Sequence, residues 1–210
     1  MNSGQSKGWL SALIFSVLMC SVGFAHSTVA QTETCRAATI LATNLGLMRG
    51  HLLVASELFE AGHIELAQRH SKHPAEEVYQ ELLPGLAQFE VPGFAMELGA
   101  FADVLAAGEQ ERALFRNRYA QLMQTMNAIE GRLPLGVRKQ QQIAFALVSQ
   151  AAVEYAVGVA EDGRVADLQE YQDAYGFVTI AKGKVIDDAA AISGASNAEL
   201  GQAFAAALRR

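Results

Sequence analysis

Apolar residues recur along most of this chain at intervals of three and four, with polar residues between them. Alanine, leucine, glutamine and glutamate dominate the composition, and runs of alternating β-branched residues are nearly absent. Both features favour helices over strands. The pattern therefore predicts an all-α fold, arranged as an up-and-down helical bundle.

Glycine and proline set the expected helix boundaries. We expect Gly62 to end the first long helix, Pro74 to begin a third helix, and Leu83-Pro84-Gly85 to end that helix. The predicted helices cover residues 35–61, 64–72, 74–83, 94–105, 109–131, 137–160 and 165–182. Within the fifth helix, the spacing places four apolar residues on one side: Leu114, Leu122, Met126 and Ile129.

The first thirty residues have the pattern of an export signal. Lys7 is the only residue among them that is charged at neutral pH with His counted as neutral, an apolar run follows from Trp9 to Ala25, and Thr28-Val29-Ala30 offers small residues for cleavage. The run is short for a membrane span. We therefore expect residues 1–30 to be a cleaved signal peptide, and residues 31–210 to form a single helical-bundle domain in the periplasm.

Charge and cysteine content narrow the class of protein. The formal net charge is -6, and removal of Lys7 would make the chain more acidic, which disfavours nucleic acid as a partner. Cys35 is the only cysteine after residue 30, so no internal disulfide is expected in the mature chain.

The histidines after residue 30 lie close together in the sequence, and histidine is a common ligand of zinc, copper and iron. His51 falls on an otherwise apolar stripe with Leu47, Val54 and Leu58. His63 and His70 share a helical face with Leu66 and Ala67. We therefore expect all three histidine side chains to face the interior.

Spacing limits which of these side chains could share one metal ion. His63 and His70 would lie roughly 10 Å apart along a helix, which leaves His63 to a peripheral or second site. His70 and His73 are spaced for one site, completed by His51 or by a carboxylate such as Glu76. Without a metal, His51 would be a neutral core histidine, and Glu76 would stabilise a helix N-terminus.

A second informative segment, residues 153–178, combines tyrosines with acidic residues. Glu154-Tyr155, Gly163-Arg164-Val165 and Glu170-Tyr171, with Asp173 soon after, resemble the exported helical extension of bacterial high-affinity iron permeases. The resemblance implies a helical domain of iron uptake, in which Glu154, Glu170 and Asp173 complete the histidine site or form another oxygen-rich metal site. The alternative is a solvated helix whose tyrosines pack against the core.

A shorter pattern, His73-x-x-Glu76 followed by Tyr79, resembles the motif of the imelysin family of periplasmic helical-bundle proteins. That family is associated with iron uptake. The family motif has a glycine where this chain has Ser71, and Pro74 intervenes. The resemblance implies metal-ligand roles for His73 and Glu76.

The sequence thus supports a periplasmic metal-binding protein, with iron or copper as the metal, that serves metal uptake, delivery or sensing. A membrane permease or another envelope complex is the expected partner. The alternative is a metal-free periplasmic adaptor whose histidines respond to pH. An enzyme ranks last, because no phosphate loop, nucleophile elbow or zinc-protease motif is present in the sequence.

Overall fold

The computed structural model describes the backbone of residues 12–73 and 78–193, and the side chains of residues 30–72 and 78–186 except that of Glu109. The chain divides into two units, residues 1–37 and residues 38–210. The described helices are α1 (Ala12–Glu60), α2 (Ile64–His73), α3 (Tyr79–Gln88), α4 (Ala95–Ala107), α5 (Arg112–Glu130), α6 (Val137–Gly158) and α7 (Leu168–Ser193).

These elements confirm the all-α fold and the helical bundle. A short 3₁₀ turn, Glu109–Glu111, precedes α5. One isolated antiparallel bridge joins Val159 to Val165 at the turn between α6 and α7, and no strand occurs in the part of the chain that the structure describes. The signal peptide remains a prediction.

Part of α1 has the length and composition of a membrane span. Within the described residues, Ala30–Glu60 is the one segment that meets this criterion, with a mean hydropathy of 1.2. Of its most apolar window, 61% is buried inside the protein. Core helices of soluble proteins and N-terminal signal sequences have the same property, so this segment alone is weak evidence for a membrane span.

The core of the second unit is built around residues 38–60 of α1. Its fully buried side chains include Leu41, Leu45, Met48, Leu52 and Phe59. Phe59 stacks on Phe115 of α5, with ring centroids 3.9 Å apart. Burial of such side chains is the main stabilising contribution to a helical bundle, so α1 holds the surrounding helices together.

Helices α1 and α7 cross with their backbones in contact. A Cβ atom added at Gly176 would lie 2.5 Å from the carbonyl oxygen of Gly50, closer than real Cβ contacts. Glycine at both positions therefore permits an approach that larger residues prevent. The crossing places His51, the neighbour of Gly50, beside the first half of α7.

A buried ion network also joins α1, α5 and α7. Glu130 of α5 accepts hydrogen bonds from Arg49 of α1 and from Lys184 of α7, each at 2.5 Å. Asn127 accepts a further hydrogen bond from Arg49. Because all three charged side chains are largely removed from water, the position of each helix depends on the other two.

The prediction that Leu83-Pro84-Gly85 ends the third helix is wrong. Helix α3 continues to Gln88 with Pro84 inside it, although proline lacks the backbone N–H of a helix interior. Leu82 and Leu86, one turn apart, are both buried. A Cβ atom at Gly85 would lie 3.1 Å from Leu41, so α3 packs closely on α1. This packing outweighs the local effect of Pro84.

One of the four apolar residues on the same side of α5 lies outside the core. Leu122, Met126 and Ile129 are buried, whereas Leu114 is 39% exposed. Its neighbour Phe115 is fully buried instead. A step of one residue rotates a side chain by about 100° around a helix, so only one of these neighbours can face the core.

Candidate metal site

Three side chains from three helices meet inside the second unit. His51 of α1, His70 of α2 and Asp173 of α7 each offer a potential ligand atom, and these atoms lie within 4.8 Å of one another. The three residues are 5%, 1% and 3% exposed. His51 and His70 face the interior as predicted from their apolar neighbours.

Local packing holds each of these side chains in place. The His51 ring meets the Phe177 ring edge to face, with centroids 4.9 Å apart. Between α1 and α2 the chain turns back toward the core at Gly62. The φ of Gly62, 86°, lies in the left-handed region that favours glycine. Ala67, one turn before His70, is fully buried. The turn and the buried alanine together direct His70 toward Asp173.

A single carboxylate oxygen connects the two histidines. Asp173 Oδ1 lies 2.6 Å from His51 Nδ1 and 3.0 Å from His70 Nδ1. His70 Nε2 lies 2.9 Å from Oε1 of Gln172. Both ring nitrogens of His70 therefore face acceptor oxygens, an arrangement in which a protonated imidazole donates two hydrogen bonds.

The electrostatics favour an ion pair in the metal-free protein. Burial lowers the pKa of His70, but the hydrogen bond and negative charge of Asp173 raise it, and the net pKa lies above the usual 6.5. Burial raises the pKa of Asp173, but hydrogen bonds from His51 and His70 bring it below its usual value. The buried carboxylate thus favours a proton on His70, whose positive charge would compensate the carboxylate.

A cavity of about 320 Å³ adjoins this group, and His51 and Asp173 form part of its wall. Glu154 of α6 and Glu170 of α7 line the same cavity. The hydrogen bond that protonated Glu170 donates to the Glu154 carboxylate, then partial burial and nearby negative charges, raise the pKa of Glu170 to about 7. Glu170 therefore carries a proton for part of the time near neutral pH.

The structure thus brings five of the eight predicted ligands to one region: His51, His70, Asp173, Glu154 and Glu170. The predicted inward orientation of His63 is wrong, because His63 is exposed in the turn. It precedes the first residue of α2, so the helical periodicity does not apply to it. Glu76 and the side chain of His73 lie outside the described residues.

The sequence did not single out four further polar residues of this region. Glu81 of α3, Gln150 of α6 and Gln169 of α7 line the cavity, and Gln172 contacts His70. Gln150 donates a hydrogen bond of 2.6 Å to Glu154, one helical turn later. The spacing of four residues between Gln150 and Glu154 could have been recognised in the sequence. No comparable spacing indicates a role for Glu81.

The tyrosines of α6 and α7 do not pack against the core, contrary to the alternative interpretation. Tyr155, Tyr171 and Tyr175 are 53%, 41% and 50% exposed. The rings of Tyr155 and Tyr171 lie 6.3 Å apart. Phe145 and Val178 add exposed apolar side chains on the same two helices. We call these five exposed residues of α6 and α7 the outer face.

The similarity to known proteins lies in α6 and α7. These helices also supply the outer face and the carboxyl groups of Glu154, Glu170 and Asp173. Residues 136–210 match the family model of the iron permease-associated 4-helix bundle domain. This confirms the resemblance drawn from the Glu-Tyr and Gly-Arg-Val pattern. The match covers about a third of the chain and includes Asp173, but it does not reach His51 or His70. No curated protein and no solved structure matches the chain.

Proposed function

We propose that this protein is an exported metal-binding protein that binds iron and supports its uptake by a membrane permease. The observation that carries the proposal is the buried group of His51, His70 and Asp173. Its potential ligand atoms lie within 4.8 Å of one another. One metal ion could therefore contact all three after small rotations of the side chains, since metal–ligand bonds are about 2 Å long.

The ligand types favour iron over copper. Two imidazoles with one carboxylate are a recurrent ligand set of non-haem Fe(II). Copper(I) prefers soft sulfur ligands, and Met48, the sulfur nearest to His51 in sequence, is fully buried in the hydrophobic core. The match to an iron permease-associated domain is independent support for iron.

The ion pair of the metal-free protein also suits a metal site. Asp173 raises the pKa of His70 and so favours a proton, and with it a positive charge, beside its own carboxylate. A divalent cation replaces that proton and keeps the carboxylate compensated. The negative charge of Asp173 is therefore compensated both with and without the metal ion. A site that releases its metal requires this.

The same proposal places the protein in the periplasm after cleavage near Ala30. The apolar run after Lys7 and the small residues before Gln31 support this. Mass spectrometry of the protein recovered from a periplasmic extract should give an N-terminus near Gln31. A chain that retains residues 1–30 would contradict export by cleavage.

The direct test is metal binding by the purified protein. One equivalent of Fe(II), added without oxygen, should bind and raise the melting temperature by several degrees, because a ligand at 100 times its Kd stabilises by about 2.7 kcal/mol. Copper and zinc are measured in parallel. His70→Ala should abolish the shift, whereas His63→Ala, which changes an exposed histidine, should retain it. An unchanged melting temperature with every metal would contradict the proposal.

A second candidate function, an adaptor that binds an envelope partner, is favoured by the outer face. Its five apolar side chains lie on the helices that match the permease-associated domain. Exposed apolar side chains that occur together commonly mark interaction surfaces, and the rings of Tyr155 and Tyr171 lie 6.3 Å apart. The partner that this match favours is a membrane-embedded iron permease. Metal binding and this contact can operate in one protein.

A further inference from the structure

Two consecutive residues of α7 hold the imidazole ring of His70 from opposite sides. Its Nδ1 lies 3.0 Å from Oδ1 of Asp173, and its Nε2 lies 2.9 Å from Oε1 of Gln172. The His70 side chain is 1% exposed, so bulk water hardly competes with either contact. The ring is therefore oriented by α7 rather than by solvent.

These two contacts select one orientation of the His70 ring. A half-turn about its Cβ–Cγ bond would exchange Nδ1 with Cδ2 and Nε2 with Cε1. A ring carbon cannot replace a ring nitrogen in these hydrogen bonds. The flipped ring would lose both partners, so the observed orientation, with Nδ1 toward Asp173, is the stable one.

The two sides of the ring differ in what they offer a metal ion. The Nδ1 atoms of His51 and His70 lie 2.6 and 3.0 Å from the same oxygen of Asp173, so both face the carboxylate of the candidate metal site. The Nε2 side of His70 faces an uncharged amide instead. A metal ion that binds Asp173 therefore meets His70 from its Nδ1 side.

A histidine that binds a metal through one ring nitrogen usually donates the N–H of the other to a protein acceptor, which fixes the tautomer and the orientation of the ring. We infer that Gln172 is a positioning residue of the metal site, which accepts the hydrogen bond of His70 Nε2–H and so presents the Nδ1 lone pair to the metal ion. This inference rests on the proposed function, because it concerns the same site.

The affinity for Fe(II) tests the role of Gln172. Gln172→Leu removes the acceptor and keeps a side chain of similar size, and it should raise the Kd about ten- to hundredfold. Gln172→Glu keeps an acceptor oxygen at the same position along the side chain. It should bind Fe(II) at least as tightly as the unaltered protein, because a carboxylate partner makes the imidazole a stronger ligand. An unchanged Kd in Gln172→Leu, or a Kd raised equally in Gln172→Glu, would overturn the inference.

Gln169→Leu is the matched control. Gln169 lies about one turn earlier on α7, is half-buried like Gln172 and lines the neighbouring cavity, but its side chain makes no hydrogen bond to a histidine among the described residues. The same substitution there should leave the Kd for Fe(II) unchanged. The melting temperatures of the metal-free variants show whether each one is folded. A Kd raised equally in Gln169→Leu would overturn the inference, since the loss would not depend on the contact with His70.

A measurement on the unaltered protein identifies the ligand atom. Nitrogen NMR of protein with isotope-labelled histidine rings, loaded with Zn(II) as a diamagnetic probe, should show the metal on Nδ1 of His70 and a proton on its Nε2. Zinc bound through Nε2, or no zinc at His70, would overturn the inference. The proposed function would survive either result as long as Fe(II) raised the melting temperature, so the two can fail separately.

Discussion

Single residues show how far the sequence could locate the candidate site. His51 could be predicted to face inward, because it lies within a regular helix and its neighbours at helical spacing are apolar. The same reasoning failed for His63, because His63 lies in the turn before the first residue of α2, the helix whose periodicity was applied. A periodic pattern is informative only where the backbone is helical.

The charge of Glu130 contributes to stability at neutral pH. Burial alone raises the pKa of Glu130, but the charges of Arg49 and Lys184 bring it below its usual 4.5. A lowered pKa means that this contribution is present above pH 4.5 and is lost as the pH falls through the folded-state value. Glu130→Gln should therefore reduce the free energy of unfolding by about 3 kcal/mol at pH 7.

Urea unfolding at pH 7 and at pH 4 or below tests this prediction. The difference between Glu130→Gln and the unaltered protein should shrink at the lower pH, because the glutamate is then partly protonated as well. Glu161→Gln, which changes an exposed residue, should have a free energy of unfolding within about 0.5 kcal/mol of that of the unaltered protein at both pH values. If Glu130→Gln reduced the free energy of unfolding equally at both pH values, the charge of Glu130 would not be the cause of the reduction.

At the scale of helices, the crossing of α1 and α7 determines where the site forms. His51 follows Gly50 directly, and Asp173 lies three residues before Gly176, so the close approach of the two glycines brings both ligands together. Nothing in the sequence indicates this contact, because the two helices lie far apart along the chain. Local propensity also failed at Pro84, where packing on α1 outweighs the effect of proline.

Substitution of Gly176 should therefore be costly. In Gly176→Ala the new Cβ atom would meet the backbone of Gly50, and separation of the helices should reduce the free energy of unfolding by about 2 kcal/mol. Metal affinity should fall as well, because His51 moves away from Asp173.

The control lies on the same helix. A Cβ atom at Gly183 has no heavy atom within 4 Å, so Gly183→Ala should stabilise α7 by about 0.5 to 1 kcal/mol through its helix propensity alone. Urea unfolding and Fe(II) titration of the two variants compare the effects. Equal stability of both variants would contradict a tight crossing at Gly176.

At the scale of the whole molecule, the histidine-containing segment and the segment that combines tyrosines with acidic residues form one region, although each was recognised separately in the sequence. His51 and Asp173 are 122 residues apart in the chain and hydrogen-bonded in the fold. Their chemistry could be predicted from residue types, but their proximity depends on tertiary packing. The all-α class was predictable for the opposite reason, since helical periodicity is a local property.

The outer face should contact the membrane partner. A photo-cross-linking residue at position 175, in place of half-exposed Tyr175, should couple to a membrane-embedded metal permease in cells that express the protein. The same residue at position 96, in place of Met96 on α4, serves as control, because Met96 is 86% exposed and lies outside the matched residues. Equal cross-linking at both positions, or none to a permease, would contradict this role.

The central claim is that iron binds between His51, His70 and Asp173. X-ray diffraction from crystals of the iron-loaded protein, collected on both sides of the iron absorption edge, tests it most directly. The account predicts an anomalous peak about 2 Å from a ring nitrogen of each histidine and from a carboxylate oxygen of Asp173. A map without a peak there, in which Asp173 keeps its hydrogen bonds to both histidines, would contradict the account.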